Sequence, residues 1–169
     1  MPAQSTYTPI ATYTGTNGVA SVNFTSIPAT YTDLVLVMTV MRSSSYAGTG
    51  IWLRLNNDSS ALYSQTDLLG NGTSATSARS TGNTIWSGAQ TLANDIPMTQ
   101  VYNIMNYATS SYFKSAAMRI ANDNNGSGYT LTSSCLYRSN TAISQVNVII
   151  PGSGTLAYYS YTLYGITAA

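Results

Sequence analysis

No solvent-facing helix can be assembled from this sequence in the usual way, because the residues that normally coat one are missing. Glutamate is absent, Lys114 is the lone lysine, and arginine and glutamine are sparse. Those straight-chain residues keep a helix both well formed and hydrated. Their place is taken by 24 threonines, 23 serines, 14 asparagines and 14 tyrosines. Thr and Tyr favour a pleated backbone, whereas Ser and Asn bond to nearby peptide groups and favour turns. An all-β chain is expected. With 169 residues, 44% of them hydrophobic, it is long and apolar enough to fold as one domain around a full core.

The hydrophobic pattern places the strands. Val19 to Thr25 alternates, with Ala20, Val22 and Phe24 on one face, and a kink follows at Ile27-Pro28. Asp33 to Met41 is a near-continuous apolar run, which suits a central strand covered on both faces. Its outer face is expected to lie under the N-terminal segment or a neighbouring subunit. Ile51 to Leu55 is a strand with Trp52 and Arg54 outward, closed by the turn Asn56 to Ser59, and Leu62 to Leu69 is a weaker one. Gly70 to Gly82 has no large apolar residue and reads as a surface loop. Thr84 to Trp86 is short, and Asp95-Ile96-Pro97 marks a break. Five strand-length segments follow: Thr99 to Tyr107, Tyr112 to Ala121, Tyr129 to Arg138, Ile143 to Ile150 and Leu156 to Ile166. Between them stand residues that tolerate positive φ, as in Asn122 to Gly128 and Pro151 to Gly154. Tyr112 to Ala121 also fits a helix; the strand reading turns Tyr112, Ala116, Met118 and Ile120 inward. Eight to ten strands at this spacing predict an antiparallel β-sandwich, jelly-roll-like, over residues 19–169. Residues 1–18 form an extended N-terminal arm ending in the turn Gly15 to Gly18.

Charge is scarce, and that narrows function. Only 7% of residues are charged and the net charge is +1, where roughly 25% charged is ordinary. Without a basic cluster nucleic acid is not an expected partner, and no apolar run is long enough for a membrane span. Met1 to Thr6 lacks the basic and apolar regions of a secretory signal, so no leader is expected. With no histidine there is no Ser-His-Asp triad, zinc helix or Cys-His pair. The five carboxylates, Asp33, Asp58, Asp67, Asp95 and Asp123, sit mostly in turn contexts and not as a general acid–base pair. Cys135 reads as a small buried residue. The glycine-rich turns lack the lysine of a phosphate loop, and one carboxylate in Asn122 to Gly128 is too little for calcium. No catalytic residue, cofactor or metal is expected.

A neutral coat lowers the repulsion between copies and pairs across interfaces without the cost of burying ions. Extensive contact with identical subunits is therefore expected. The apolar N-terminal residues Tyr7, Pro9, Ile10 and Tyr13 and the tyrosines Tyr158, Tyr159, Tyr161 and Tyr164 are the candidate assembly contacts. The same chemistry suits hydroxyl-rich glycans, for which Trp52 and Trp86, with the segment 70–82, are the candidate contacts.

The stretch Asn23 to Val37, NFTSIPATYTDLVLV, resembles small structural proteins of tailed bacteriophages, especially marine and cyanobacterial ones. The similarity continues at Leu53 to Asp58, Tyr63-Ser64, the Gly/Ser/Thr segment after Leu69 and the terminal Thr162 to Ile166. The resemblance implies a β-rich virion component, commonly a homotrimer. It would be a decoration (cement) protein on the head exterior, touching the major capsid protein. The alternative it implies is a capsid-fibre or tail-fibre module binding host glycan. No functional residue is carried over by it.

Overall fold

The computed structural model describes residues 6–16, 18, 21–43, 50–88, 92, 96–152 and 155–167. These form twelve strands: β1 (Tyr7–Gly15), β2 (Ser21–Phe24), β3 (Asp33–Arg42), β4 (Trp52–Leu55), β5 (Tyr63–Gly70), β6 (Ala75–Asn83), β7 (Trp86–Ser87), β8 (Met98–Met105), β9 (Lys114–Asn124), β10 (Ser127–Tyr137), β11 (Val146–Ile149) and β12 (Leu156–Ile166). They build an antiparallel sandwich. One sheet has eight strands in the order β1-β12-β3-β8-β9-β10-β5-β6, and the other has four in the order β2-β11-β4-β7.

The core lies between the sheets, where alternating residues from both converge. The small sheet contributes Val22, Phe24, Leu53, Leu55, Trp86, Val146 and Val148; the large sheet contributes Leu34, Leu36, Met38, Tyr102, Ile104, Met118 and Leu163. Each fully buried side chain of this size stabilises the fold by about 1.5–3 kcal/mol. Strand β3 is central, flanked by β12 and β8. The hairpin β9–β10 turns at Asn125 and Gly126 with φ of 41° and 111°, and Asn-Gly supplies both positive-φ positions without a bulky side chain.

Four polar groups tie the interior together. The Lys114 ammonium donates to the carbonyls of Thr109 (2.5 Å), Tyr112 (2.9 Å) and Asn140 (3.2 Å), stapling two loops to the foot of β9. Gln65 acts as an added rung of ladder. Its Nε2 donates to the Ser87 carbonyl at 3.0 Å and its Oε1 accepts from the Ser87 amide at 2.9 Å, joining β5 to the edge strand of the other sheet. Tyr137 donates to the Asp58 carboxylate at 2.6 Å, while Tyr63, stacked on Tyr137, donates to the Leu55 carbonyl.

Four expectations change. The N-terminal segment is extended, but residues Tyr7–Gly15 are the edge strand of the large sheet, paired with β12, and do not cover β3. Gly70 to Gly82 is not a loop: Ala75–Asn83 pairs with β5 as an edge strand. Neither of its faces is buried, so no apolar row marks it in the sequence. The Tyr112 to Ala121 segment is a strand, but its inward row is Lys114, Ala116, Met118, Ile120 and Asn122, and Tyr112 is exposed. A buried lysine bonded to three carbonyls takes the inward place expected for a tyrosine. Among the described residues the strand number is twelve, beyond the eight to ten expected, because the arm and the Gly70 to Gly82 segment add the edge strands β1 and β6. The break at Asp95, the first two residues of the Val19 strand and part of the turns at Asn17 and Ser153-Gly154 lie outside the described residues.

Candidate functional site

The candidate contact residues fall on the outer face of the eight-stranded sheet, along its β1 edge and at one corner of the sandwich. The pairing register sets that face out in rows. Pro9, Tyr164, Val35, Asn103, Ala117, Ser134, Thr66 and Arg79 stand side by side across all eight strands. The next row runs Thr12, Thr162, Val37, Val101, Arg119, Thr132, Leu68 and Ser77. At about 4.8 Å per strand the face is about 34 Å across. Arg119 is its interior charge, with Arg79 on the edge strand β6 and Asp33 and Asp123 at strand ends. The rest are hydroxyl, amide, methyl and larger apolar groups, and Leu68, Leu136, Met105 and Tyr158 are all exposed.

This outer face explains the apolar run of β3. Leu34, Leu36, Met38 and Val40 point into the core, while Val35, Val37, Thr39 and Met41 pave the outer face. Val35 is nonetheless buried and the other three are half-buried.

The tyrosines divide between the two faces of β12. Tyr158 is exposed and Tyr164 half-buried against Tyr7, with ring centroids 6.0 Å apart. Tyr159 and Tyr161 were candidate contacts too, but both are buried and stacked on each other inside the sandwich. The period-2 alternation of a strand sends them inward, so they are core residues and not assembly contacts. On β1, Tyr7, Pro9 and Tyr13 are exposed and Ile10 half-buried against the core. Tyr13 closes the sandwich edge, its ring against Phe24 and its hydroxyl donating to the Asn23 carbonyl.

The two tryptophans separate likewise. Trp86 is fully buried, stacked on Tyr102, with its indole N–H donating to the Leu136 carbonyl at 3.1 Å. It cannot meet a glycan. Trp52 points outward from β4 and is half-buried in a cleft of about 450 Å³ lined by Ser80, Gly82, Asn83, Thr84, Ile85 and Ser87. The sequence places Trp52 on the outer face, but only the pairing of β6 with β5 brings Ser80 and Asn83 to it.

The ionisable groups hold the fold. Asp33 accepts from the Asn106 amide at 2.7 Å, and Asp67 accepts from Gln65 and from the Ser133 hydroxyl at 2.5 Å. The Tyr137 hydroxyl and then Ser60 hold the Asp58 carboxyl below the usual carboxylate range. Burial, reinforced by Asp67, pushes the Cys135 thiol up to about 12, so the nucleophilic thiolate does not form near neutral pH. Among the described residues no three His, Cys, Asp or Glu side chains come together as a metal site, and no helix is long and apolar enough to cross a membrane.

No protein-family model matches the chain, and no curated protein matches it. Among solved structures it is similar in shape to a double mutant of the alginate lyase Aly36B in complex with alginate tetrasaccharide. The identity is 10%, the TM-score 0.43, and the match covers 82% of this chain and 70% of that one. A likeness this distant says nothing about activity.

Proposed function

We propose that this chain is a non-enzymatic structural protein of a tailed-phage virion, a decoration protein on the head exterior that binds copies of itself, as a homotrimer, and the major capsid protein. The observation that supports this reading is the broad, nearly uncharged outer face of the large sheet, on which Leu68, Met105, Leu136 and Tyr158 are exposed. A face of this chemistry loses little by being covered, because few ions must be desolvated and each hydroxyl can exchange water for a partner.

The sheet edges add to it. At one edge Pro9 has no N–H to offer and a bulge interrupts the register between Pro9 and Ala11, so β1 is blunted against further pairing. At the other edge β6 runs nine residues without proline, exposed on both faces and carrying Arg79 as its single charge. We assign β6 and the neighbouring outer face to subunit contact, with Tyr7, Pro9, Tyr158 and Tyr164 as a second contact patch.

Quantitative mass spectrometry of purified virions, with density of the intact particle, tests the reading. A decoration protein is present at hundreds of copies over the shell. A few copies near the tail would replace this reading with a fibre module, and absence from the particle would overturn both.

A further inference from the structure

We infer that the cleft beneath Trp52 binds a neutral saccharide. The inference does not depend on whether the chain sits on a shell or a fibre. Trp52 faces out of the small sheet directly opposite Ser87, and the backbone of Ser87 is clamped by Gln65. The indole is thus mounted on a ladder that cannot easily shift. The far wall is the end of β6 and the residues after it. There the Asn83 amide donates to the Ser80 hydroxyl at 2.8 Å, and Arg54 donates to the Thr84 carbonyl at 3.3 Å, fixing both. Gly82, at φ +70°, leaves open space where any other residue would put a side chain.

Three properties of this cleft select the ligand class. Its volume of about 450 Å³ lies within the range of small-ligand clefts, roughly 300–1,000 Å³. Its lining supplies one flat aromatic surface among hydroxyl and amide groups. A sugar ring has this same division, an apolar C–H face that packs on an indole and a rim of hydroxyls that exchange hydrogen bonds with Ser, Thr and Asn. A purely apolar ligand would instead leave those polar groups without water or partner. Finally, none of the lining residues is ionisable. Phosphates, uronates and acidic peptides would lose hydration there against one neighbouring cation, Arg54, whose Nε is already committed to the Thr84 carbonyl.

The full chain carries its own reporter. Trp86 is sealed in the core, so a change in indole emission on adding ligand comes from Trp52. Neutral gluco-, manno- and galacto-oligosaccharides, with oligoalginate as the acidic counterpart, are titrated against the protein. A saturable emission change with at least one neutral class is expected. The same sugar is then followed by calorimetry in variants. Trp52→Ala weakens binding at least about tenfold, Asn83→Ala weakens it several-fold, and Trp52→Phe, which keeps a ring and guards against misfolding, retains most of it. A flat response to every neutral class, tighter binding of oligoalginate than of any neutral sugar, or unchanged affinity in a folded Trp52→Ala protein would overturn the inference.

Discussion

Raising the pH attacks this protein at its buried phenols. Burial raises Tyr102 well above the ordinary tyrosine value, and Tyr63 likewise; Tyr137, buried and donating to the Asp58 carboxylate, is raised to about 12. All three stay protonated in the fold at a pH where the unfolded chain has released the proton. Their contribution is therefore complete below about pH 10 and is lost as pH rises towards the folded values, at about 1.4 kcal/mol per pH unit for each phenol held neutral. Tyr102 counts in full. Tyr63 and Tyr137 lie nearer the Asp58 turn and solvent and are discounted to about half each. The sum is about 2.7 kcal/mol per pH unit, or about 5 kcal/mol between pH 10 and pH 12. That is a large share of the roughly 5–15 kcal/mol by which such domains are stable. Urea unfolding followed by circular dichroism at steps from about pH 9 to about pH 12 measures the loss. Phenolate absorbance reports the lag of the buried rings, and Tyr102→Phe should flatten the slope by about half. A urea midpoint that does not move across this window, or the same slope in Tyr102→Phe, would refute the reasoning.

Three further outcomes follow from other parts of the structure. Lys114→Met removes a charged donor from three carbonyls and should cost about 3 kcal/mol, seen as a fall in Tm of about 6–12 °C; an unchanged Tm would show that the staple contributes nothing. At the acid end, the carboxyl of Asp58 is held low, so its contribution is present above the ordinary aspartate value and fades as pH falls through the folded value. Asp58→Asn should therefore lose stability near neutrality but show a shallower acid decline by thermal melts, and parallel curves for both proteins would contradict this. For the edge of the large sheet, Ala75→Lys with Ser77→Lys sets two cations in line with Arg79 on the outer face of β6. Sedimentation should show self-association weakened at least about tenfold, with Tm nearly unchanged, and equal association would remove β6 from the contact.

Much of the fold was legible because the driving signals are local. The alternation in Leu53 and Leu55, the run of β3 and the Asn125-Gly126 turn each carry their own structural preference, and the sandwich follows from them. Two kinds of feature were hidden. Edge strands such as β6 have no buried face to mark them, so a polar strand and a polar loop look alike until a neighbour's backbone pairs with one. Sidedness was also ambiguous where both rows were apolar or aromatic, as for Tyr159 and Tyr161.

By itself the sequence determined that the chain is all-β, nearly free of ionised groups and suited to neutral contacts, since these depend on residue types and on a two-residue period. Only the tertiary structure decided which contacts remain open. It sealed Trp86 and left Trp52 in a cleft, turned Tyr159 and Tyr161 inward and buried Lys114 among carbonyls. Exposure belongs to the packing of segments distant along the chain, and no local pattern of residues contains it.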